Sequence, residues 1–455
     1  MRFIISNFGP VREANITIKP LTVFIGSNAS GKSYIAYLIW CLLTVEPNWD
    51  RLVEIIDKYL GDITELNDKR IGDRVKKIIL SILRDFINIF YKENLEDLLE
   101  DTFLIDDLRE LIRYGANEAK VILSNDKGSI AISINITKDG LIFYNLSNEV
   151  IGMVEQTIKV KTEPIVKETI RVVLEVDGNE WIKEDVTDRE ELVDLIIKMT
   201  IAVISWLFDG YFPHLPSVII PDGRAGLLRA REAMVHTLMS IRWRPLIINA
   251  ADTAFIRTLE SLNLRVRSKE INKITTFIEK KLQTQFVLHR MPPRYIVKFK
   301  DVEMPLQRTS SGIREIAPIV FILRHYLSKG YFLIVEEPES HLHPDAQVII
   351  TRALAGLPKQ RVVTLMTTHS IHVLDEISNL IRLRKLSDEE KKRLGYEVWE
   401  GLDPEDVAVY LFTSDGRVES IGVSDDGLEE TGLDRVVIEI ANIQSRVENL
   451  FRRKR

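Results

Sequence analysis

The chain has 455 residues, of which 45% are apolar, and its formal net charge is −6. That length and apolar content suffice for one large two-lobed domain or for about two to three ordinary ones. The single cysteine, Cys41, excludes a disulfide framework and a cysteine-based zinc cluster, so we expect a reducing, cytoplasmic location. Because no apolar run reaches the ~20 residues of a membrane-spanning helix, we expect no membrane partner.

The first 45 residues predict three strands and a helix. Residues 2–7 and 13–18 alternate apolar and polar side chains on either side of a glycine–proline turn, as paired strands do. The apolar run LTVFIG (21–26) predicts a buried strand, and the spacing of apolar residues after Lys32 predicts a helix.

The next segments predict helices and then an antiparallel sheet. Residues 46–114 show apolar positions at i, i+3 and i+4, and this helical stretch is acidic, with 17 acids against 11 bases between Val45 and Gly115. Residues 120–177 have a period of two and contain glycine turns, which predicts an antiparallel meander. A helix is expected over 188–207, and SVIIPDGR (217–224) is expected to be a strand that ends in a turn.

The second half predicts helices over 226–283, a hairpin over 286–306 and then strictly alternating elements. The expected order is a helix 313–328, a strand 331–337, a helix 344–356, a strand 361–368, a helix 371–378, a strand NLIRLRKL (379–386) and a terminal hairpin over 407–423. Such alternation predicts a parallel sheet that is flanked by helices.

The stretch FIGSNASGKSYIA (24–36) contains the pattern Gly26-x-x-x-x-Gly31-Lys32-Ser33 between a predicted strand and a predicted helix. In that context, the backbone N–H groups of a glycine loop and the start of the helix bind phosphate. Lys32 would neutralise the β- and γ-phosphates, and the Ser33 hydroxyl would bind Mg²⁺. The alternative is a purely structural glycine turn.

A second motif, YFLIVEEPESHLHP (331–344), ends an apolar strand in the paired acids Glu336 and Glu337. Two adjacent carboxylates repel each other unless a cation or solvent screens them. Glu336 is therefore expected to hold Mg²⁺, and Glu337 to orient or deprotonate an attacking water. The alternative is an exposed strand end with solvated acids.

Two further motifs carry polar residues to predicted helix starts or strand ends. TTHS (367–370) places His369 at the end of a strand, although a lone histidine there also fits a loop role. TSSGIRE (309–315) is an ordinary helix N-cap by itself and, beside a phosphate site, an anion-binding helix start that carries Ser310 and Gly312. His341 and His343 have no obvious third ligand, so we expect a structural or interface role for them.

The order of these motifs resembles the ATP-binding-cassette (ABC) ATPase heads of the SMC, RecF and OLD (overcoming lysogenization defect) group. The matching pieces are NFGPVREA, GSNASGKS, TSSGIRE as a degenerate signature motif, LIVEEPESHLHP as Walker B plus D-loop, and TTHS as the switch histidine. The chain is most similar to stand-alone, OLD-like ATPases of the AAA family that lack a TOPRIM nuclease domain. It differs in having Glu336 for the commoner aspartate and Ser311 for the first glycine of the signature.

This resemblance implies ATP and Mg²⁺ as ligands and assigns roles to residues. The implied ATP-binding residues are Gly26, Ser27, Asn28, Ala29, Ser30, Gly31, Lys32, Ser33, Ser310 and Gly312. Ser33 and Glu336 would hold the metal, whereas Lys32, Glu337 and His369 would be catalytic. Two heads of this class sandwich two ATP molecules, so Ser310 and Gly312 would complete the site of the partner subunit. Ser340 and His341 would lie in the D-loop, and Arg224 is assigned to the Q-loop region, where no glutamine stands.

The resemblance also implies the fold class and the domain organisation. The fold is expected to be α/β, a P-loop NTPase of the ABC-ATPase-like head type, with a mixed, largely parallel core sheet, an antiparallel β subdomain, a helical lobe and a helical insert. The expected segments are 1–45 (ATPase core with the P-loop), 46–115 (acidic helical insert), 116–224 (antiparallel β subdomain and return to the core), 225–312 (basic helical signature lobe), 313–386 (rest of the core) and 387–455 (short helix, hairpin and tail).

The expected function is that of a Mg²⁺-dependent ATPase that forms an ATP-dependent homodimer and acts as a switch on nucleic acid or on a partner effector such as a nuclease. Residues 221–310 carry 17 bases against 8 acids, which suits a polyanion, although the same side chains can pair locally on helix faces. Two alternatives stay open. An OLD-type nuclease acting in cis has only 86 residues after His369 for its domain, and a transporter ATPase subunit does not explain the acidic insert.

Overall fold

The computed structural model describes residues 1–61, 70–125, 131–166, 169–208, 216–230, 248–289 and 294–430, with a few positions between 432 and 451. The chain divides into a first unit, Met1–Thr17 with Leu38–Leu215, and a second unit, Ile18–Tyr37 with Pro216–Arg455. Among the described helices, none combines the length and the apolar character needed to cross a membrane.

The described strands, numbered along the chain, are β1 (Arg2–Phe8), β2 (Val11–Thr17), β3 (Leu21–Gly26), β4 (Ala119–Ser124), β5 (Ala131–Thr137), β6 (Gly140–Tyr144), β7 (Ile158–Val166), β8 (Thr169–Val176), β9 (Asn179–Val186), β10 (Ser217–Ile220), β11 (Gln285–His289), β12 (Arg294–Phe299), β13 (Val302–Pro305), β14 (Phe332–Glu336), β15 (Val363–Thr368), β16 (Val407–Phe412), β17 (Val418–Ile421), β18 (Val423–Ser424) and β19 (Gly427–Leu428). The α-helices for which both ends are described are Lys32–Thr44, Trp49–Leu60, Ile71–Arg84, Phe86–Phe90, Leu95–Phe103, Asn148–Thr157, Arg189–Leu207, Ala250–Glu260, Lys269–Leu282, Ser311–His325, Pro344–Ala355, Ile371–Arg382 and Asp388–Arg393.

The first unit contains a five-stranded antiparallel sheet in the order β2-β1-β4-β5-β6 and a three-stranded sheet β7-β8-β9. The predicted pairing of β1 with β2 is confirmed. The helices predicted after residue 46 are confirmed as well. The helix Trp49–Leu60, for example, buries an apolar face that contains Leu52, Ile55 and Ile56.

The prediction of one meander over 120–177 is wrong, because a helix, Asn148–Thr157, separates the two sheets. The Ser147 side chain caps this helix by accepting a hydrogen bond from the N–H group of Val150. The helix then buries Val150, Ile151 and Val154, whose spacing gives a helical face rather than a strand face. One of the predicted glycine turns, Asp126-Lys127-Gly128, lies outside the described residues.

The second unit is built on a six-stranded sheet in the order β10-β14-β15-β3-β16-β17. The first five strands are parallel, and only β17 pairs antiparallel, so the predicted parallel sheet is confirmed. The register pairs Glu336 with Thr367 and Thr367 with Phe24. The carboxyl ends of β14, β15 and β3 therefore lie side by side, which is the edge where open α/β sheets bind ligands.

The predicted hairpin over 407–423 is confirmed as β16 and β17, but β16 is also a central strand of this sheet. It pairs with β3, and Phe412 lies opposite Gly26 in the register. The aromatic rings of Phe24 and Phe412 pack with their centroids 4.9 Å apart. The apolar core of the second unit forms between this sheet and helices such as Ser311–His325, which buries Ile316, Ile319 and Val320.

The second unit differs from the prediction at 379–386 and has one strand more than predicted over 286–306. The strand predicted over 379–386 is wrong, because the helix Ile371–Arg382 extends into it and buries Leu380 and Ile381 one turn beyond Ile377. A short 3-10 helix, Leu383–Lys385, follows. The hairpin over 286–306 gains a third strand, β13. Helices are present over Ala250–Glu260 and Lys269–Leu282, while 231–247 and the tail 452–455 lie outside the described residues.

Replacing Ile334 by alanine tests the central position of β14. Ile334 is 0% exposed and lies opposite Ile219 and Leu365 on the flanking strands. We expect the free energy of unfolding to fall by about 2–5 kcal/mol in urea titrations, because a cavity remains in a close-packed core. The control Val302→Ala, at a residue that is 55% exposed, is expected to change it by about 0.5 kcal/mol or less. Equal losses in both variants would contradict the buried position of Ile334 in β14.

Candidate functional site

The glycine loop begins where β3 ends, at Gly26, and leads into the helix Lys32–Thr44. Gly26 has a φ of +144°, and a Cβ atom at this position would lie 2.4 Å from the carbonyl oxygen of Phe412. Only glycine allows β16 to approach the loop this closely. The strand-loop-helix context expected for a phosphate-binding loop is therefore present.

Lys32 is almost completely buried inside this loop, with 5% of its surface exposed. Its Nζ atom donates hydrogen bonds to the carbonyl oxygens of Gly26 at 2.9 Å and Ser27 at 2.8 Å. Burial lowers the pKa of Lys32, and the charges of Glu337, Glu339 and Glu336 oppose that effect. The ammonium group therefore lies in the field of three carboxylates that follow one another along the chain.

Glu336, the last residue of β14, is 3% exposed and lies next to Ser33. Burial raises the pKa of Glu336, while hydrogen bonds from the hydroxyl groups of Ser33 and Tyr37 and from the N–H group of Asp222 lower it. The Tyr37 hydroxyl lies 2.5 Å from Oε2 of Glu336, and the Asp222 nitrogen lies 3.4 Å from the same atom. The two residues expected to bind a metal are thus brought together.

The oxygen atoms of Ser33 and Glu336 fit Mg²⁺, a hard cation that prefers oxygen ligands. Within the described ranges, no group of three His, Cys, Asp or Glu side chains is arranged to hold a metal ion by itself. A Mg²⁺ ion at Ser33 and Glu336 would therefore take its remaining ligands from phosphate oxygens and water, as this ion commonly does in nucleotide sites.

Glu337 and His369 lie side by side at the ends of β14 and β15. Oε1 of Glu337 is 3.3 Å from Nδ1 of His369, and Oε2 accepts a hydrogen bond from the Ser340 hydroxyl at 3.1 Å. The N–H group of Glu337 donates to the carbonyl oxygen of Thr367 at 3.1 Å. Glu337 has a φ of +37°, a left-handed conformation that costs energy for a residue with a side chain. Its surroundings therefore hold this backbone in place.

Sequence reasoning assigned no role to Glu339, although it completes the Glu-Glu-Pro-Glu motif. The residue is 3% exposed, and its Oε1 accepts hydrogen bonds from the Thr368 hydroxyl and from the N–H group of His369, the latter at 3.1 Å. Glu339 thereby fixes the backbone that carries His369. The sequence did indicate this residue, because Glu339 is the third acid in the four-residue stretch that begins at the end of β14, Glu336 to Glu339.

Ser310 and Gly312 lie at the start of the helix Ser311–His325. Ser310 is its N-cap and accepts a hydrogen bond from the N–H group of Ile313 at 3.4 Å, as predicted. A Cβ atom at Gly312 would lie 3.6 Å from the carbonyl oxygen of His341, so the helix start adjoins the expected D-loop. Among the described residues, neither Ser310 nor Gly312 hydrogen-bonds to the glycine loop of the same chain.

His341, His343 and Arg224 lie in a turn, at a helix start and in the core of the second unit, respectively. His343, for which a structural or interface role was predicted, is the N-cap of the helix Pro344–Ala355, and an interface role is not tested. His341 has a φ of +58° within the turn that precedes it. Arg224 is fully buried and donates hydrogen bonds to backbone carbonyl groups at the end of β14.

A family model described as "AAA ATPase domain" matches residues 1–198 and 245–374 of the chain. The two matched ranges contain the glycine loop, Ser310, the tandem glutamates and His369, whereas Arg224 lies outside them. No curated protein matches the chain.

Solved structures of SMC head domains resemble the chain at low identity. A SMC head bound to the C-winged helix domain of ScpA has 13% identity and a TM-score of 0.38, with 94% of this chain and 95% of that chain covered. The SMC head domain from Thermotoga maritima has 10% identity and a TM-score of 0.34, with 93% and 98% covered. A Smc head with an extended coiled coil, bound to the C-terminal domain of ScpA derived from Pyrococcus furiosus, has 12% identity and a TM-score of 0.38, with 97% and 98% covered.

The carboxyl group of Asp252 is expected to make the free energy of unfolding of the nucleotide-free protein depend on pH. Burial and the charge of Glu336 raise the pKa of Asp252 from 3.8 to about 6, so the folded protein holds this proton more tightly than the unfolded chain does. The stabilisation is present below about pH 4 and is lost as the pH rises through about 6. We therefore expect the melting temperature of Asp252→Asn, relative to the wild type, to be a few degrees higher at pH 8 than at pH 5.

The comparison is made with nucleotide-free protein in EDTA. The matched control is Asp301→Asn, at an exposed carboxylate in the turn before β13. Its difference from the wild type is expected to be the same at both pH values. A pH-independent difference for Asp252→Asn would show that this proton does not contribute.

Proposed function

Because this chain belongs to the AAA ATPase domain family, we propose that it binds ATP with Mg²⁺ at the glycine loop and hydrolyses the γ-phosphate bond. The observation that carries the proposal is the clustering of five side chains at one edge of the sheet. Lys32 lies in the field of Glu336 and Glu337, the Ser33 hydroxyl bonds to Glu336, and Glu337 contacts His369. A triphosphate bound beside Lys32 and Ser33 would find its charge neutralised there, and a water beside Glu337 and His369 would be oriented.

Each residue of the site would have its own role in ATP hydrolysis. Mg²⁺ held by Ser33 and Glu336 would neutralise charge on the β- and γ-phosphates. The Lys32 ammonium, which bonds to two loop carbonyl oxygens, would turn from them to the phosphates. The Glu337 carboxylate would accept a hydrogen bond from the attacking water and take its proton. His369, 47% of whose side chain is exposed, would donate a hydrogen bond to the γ-phosphate.

A second copy of the chain is the proposed partner in hydrolysis. Ser310 and Gly312 stand at the start of a 15-residue helix, whose N–H groups and dipole favour an anion. Since they do not bond to their own glycine loop among the described residues, we assign them to the γ-phosphate held by the partner subunit. ATP would then bridge two subunits, and its hydrolysis would release them.

The variants Glu337→Gln and Lys32→Ala separate binding from hydrolysis. Glu337→Gln keeps the phosphate-binding loop but loses the base, so we expect kcat to fall by at least about 100-fold while ATP is still bound. With saturating ATP and Mg²⁺, this variant is expected to have the mass of a dimer by light scattering. Lys32→Ala is expected to lose ATP binding and to stay monomeric.

Each result has a contrary outcome. A wild-type protein that does not release phosphate from ATP with Mg²⁺ would refute the enzymatic proposal. A Glu337→Gln protein that binds ATP but stays monomeric would refute the dimer and leave ATP binding and hydrolysis intact.

Nucleic acid is the proposed target of the switch, on the basis of the basic stretch 221–310. Part of its positive charge is used inside the chain, since Lys280 pairs with Glu397 at 3.5 Å and Lys298 pairs with Glu303 at 3.4 Å. Arg265 and Arg267 instead lie exposed on the loop between the helices Ala250–Glu260 and Lys269–Leu282. Exposed arginines on a loop are suited to phosphate contacts.

Replacing Arg265 and Arg267 by alanine tests this surface. If each arginine contacts one phosphate, the slope of log affinity against log salt for a DNA duplex is expected to become shallower by up to about 2. Fluorescence anisotropy at salt concentrations from about 50 to 200 mM measures the slope. Duplex binding by the wild type that does not weaken with salt would contradict the proposal.

A further inference from the structure

Arg224 is a large cation that lies wholly inside the second unit. Its surface is 0% exposed, and it directly follows the turn at Asp222 and Gly223 that comes after β10. Its guanidinium group donates hydrogen bonds to five backbone carbonyl oxygens, those of Glu315 at 3.0 Å, Pro221 at 3.3 Å, Glu336 at 3.0 Å, Glu337 at 3.2 Å and Pro338 at 3.3 Å. A buried guanidinium is tolerated only when its donors are bonded in this way.

Three of these five acceptors belong to the segment that carries the proposed water-orienting residue. They are the carbonyl oxygens of Glu336, Glu337 and Pro338. Glu337 has the left-handed φ of +37° described above, and such a conformation persists only where the surroundings determine it. Arg224 bonds to the backbone on both sides of this strained position.

The remaining contacts connect Arg224 to the helix that Ser310 begins. Nε of Arg224 bonds to the carbonyl oxygen of Glu315 and lies 3.3 Å from the carboxylate atom Oε2 of the same residue. Glu315 is 3% exposed and lies one turn after Ser310 and Gly312. Burial lowers the pKa of Arg224, and the charge of Glu315 counteracts this. One side chain thus joins the helix start to the strand end.

We propose that Arg224 is a positioning residue that holds the backbone of Glu337 in its working conformation and links it to the helix that begins at Ser310. When Ser310 and Gly312 engage the γ-phosphate of the partner subunit, a shift of this helix reaches Glu337 through Glu315 and Arg224. Hydrolysis is then favoured only in the closed dimer. The inference rests on the proposed function, because it presumes that Glu337 orients the attacking water.

A buried arginine that only stabilises the fold is expected to affect stability but not hydrolysis. Arg352 is such a residue and serves as the comparison. Arg352 is 8% exposed and pairs with Glu400, while its guanidinium carbon lies 4.1 Å from the centroid of the Tyr396 ring. It belongs to the same unit but contacts none of the proposed site residues. Loss of either buried arginine is expected to lower the melting temperature, whereas only Arg224 is expected to affect hydrolysis.

The experiment compares Arg224→Met with Arg352→Met in the full chain, at a temperature well below both melting midpoints. For Arg224→Met we expect kcat to fall by at least about tenfold, with KM and the Kd for ATP changed by less than about threefold, because positioning acts on the transition state more than on ground-state binding. ATP-dependent dimer formation, followed by light scattering, is expected to persist. Arg352→Met is expected to keep the wild-type kcat.

A milder pair of variants covers the case in which Arg224→Met fails to fold. Glu315→Gln keeps the backbone acceptor and removes the carboxylate charge, so we expect kcat to fall by about threefold or more with KM unchanged. Arg224→Lys keeps the charge but offers fewer donors in a fixed plane, so its kcat is expected to lie between those of the wild type and Arg224→Met.

The outcomes separate this inference from the proposed function. If the wild type hydrolyses ATP and both Arg224→Lys and Glu315→Gln retain its kcat, the positioning role is refuted and the ATPase stands. An equal fall in kcat for Arg224→Met and Arg352→Met would refute the positioning role in the same way. If the wild type binds no ATP, the proposed function fails, and this inference fails with it.

Discussion

Charge compensation at the end of β14 is the constraint on which the rest of the second unit depends. Glu336, Glu339 and Lys32 are each at most 5% exposed, so their charges interact in a medium that screens them poorly. A buried carboxylate is tolerated only where hydrogen-bond donors face it. The hydroxyl groups of Ser33, Tyr37 and Thr368 supply such donors. Ser33 and Tyr37 lie on the helix that follows β3, whereas Thr368 is the last residue of β15. The sheet must therefore place three strand ends in register before the site exists.

Local sequence patterns were sufficient to predict the strands and the loop that carry this site. The apolar runs of β3, β14 and β15, each followed by a glycine loop or polar residues, predicted parallel strands with ligand groups at their carboxyl ends. The strand order confirms this arrangement, because β15 lies between the other two. The glycine loop, the tandem glutamates and His369 were predictable because each is read from consecutive residues in a recognisable context. Their chemical roles remain proposals.

The errors fall where a local pattern fits two structures or where the partner is distant in sequence. NLIRLRKL alternates as a strand does, but Leu380 and Ile381 also continue the buried face of the preceding helix, and that packing decides the outcome. Ser147 is a helix cap that resembles an ordinary turn residue until Val150 and Val154 are seen to share a face. Glu339 bonds to Thr368, 29 positions away, and Arg224 bonds to Pro338, 114 positions away. No single sequence pattern encodes such pairs.

The pairing of β16 with β3 has a consequence for how the protein is made. The strand that delivers the glycine loop is synthesised within the first 26 residues, yet one of its two neighbours in the sheet comes from residues 407–412. Until the ribosome has delivered those residues, β3 has an open flank of unpaired N–H and C=O groups. The second unit therefore completes its fold late in translation, and a polypeptide that stops before residue 407 would expose a template for misassembly with other nascent chains.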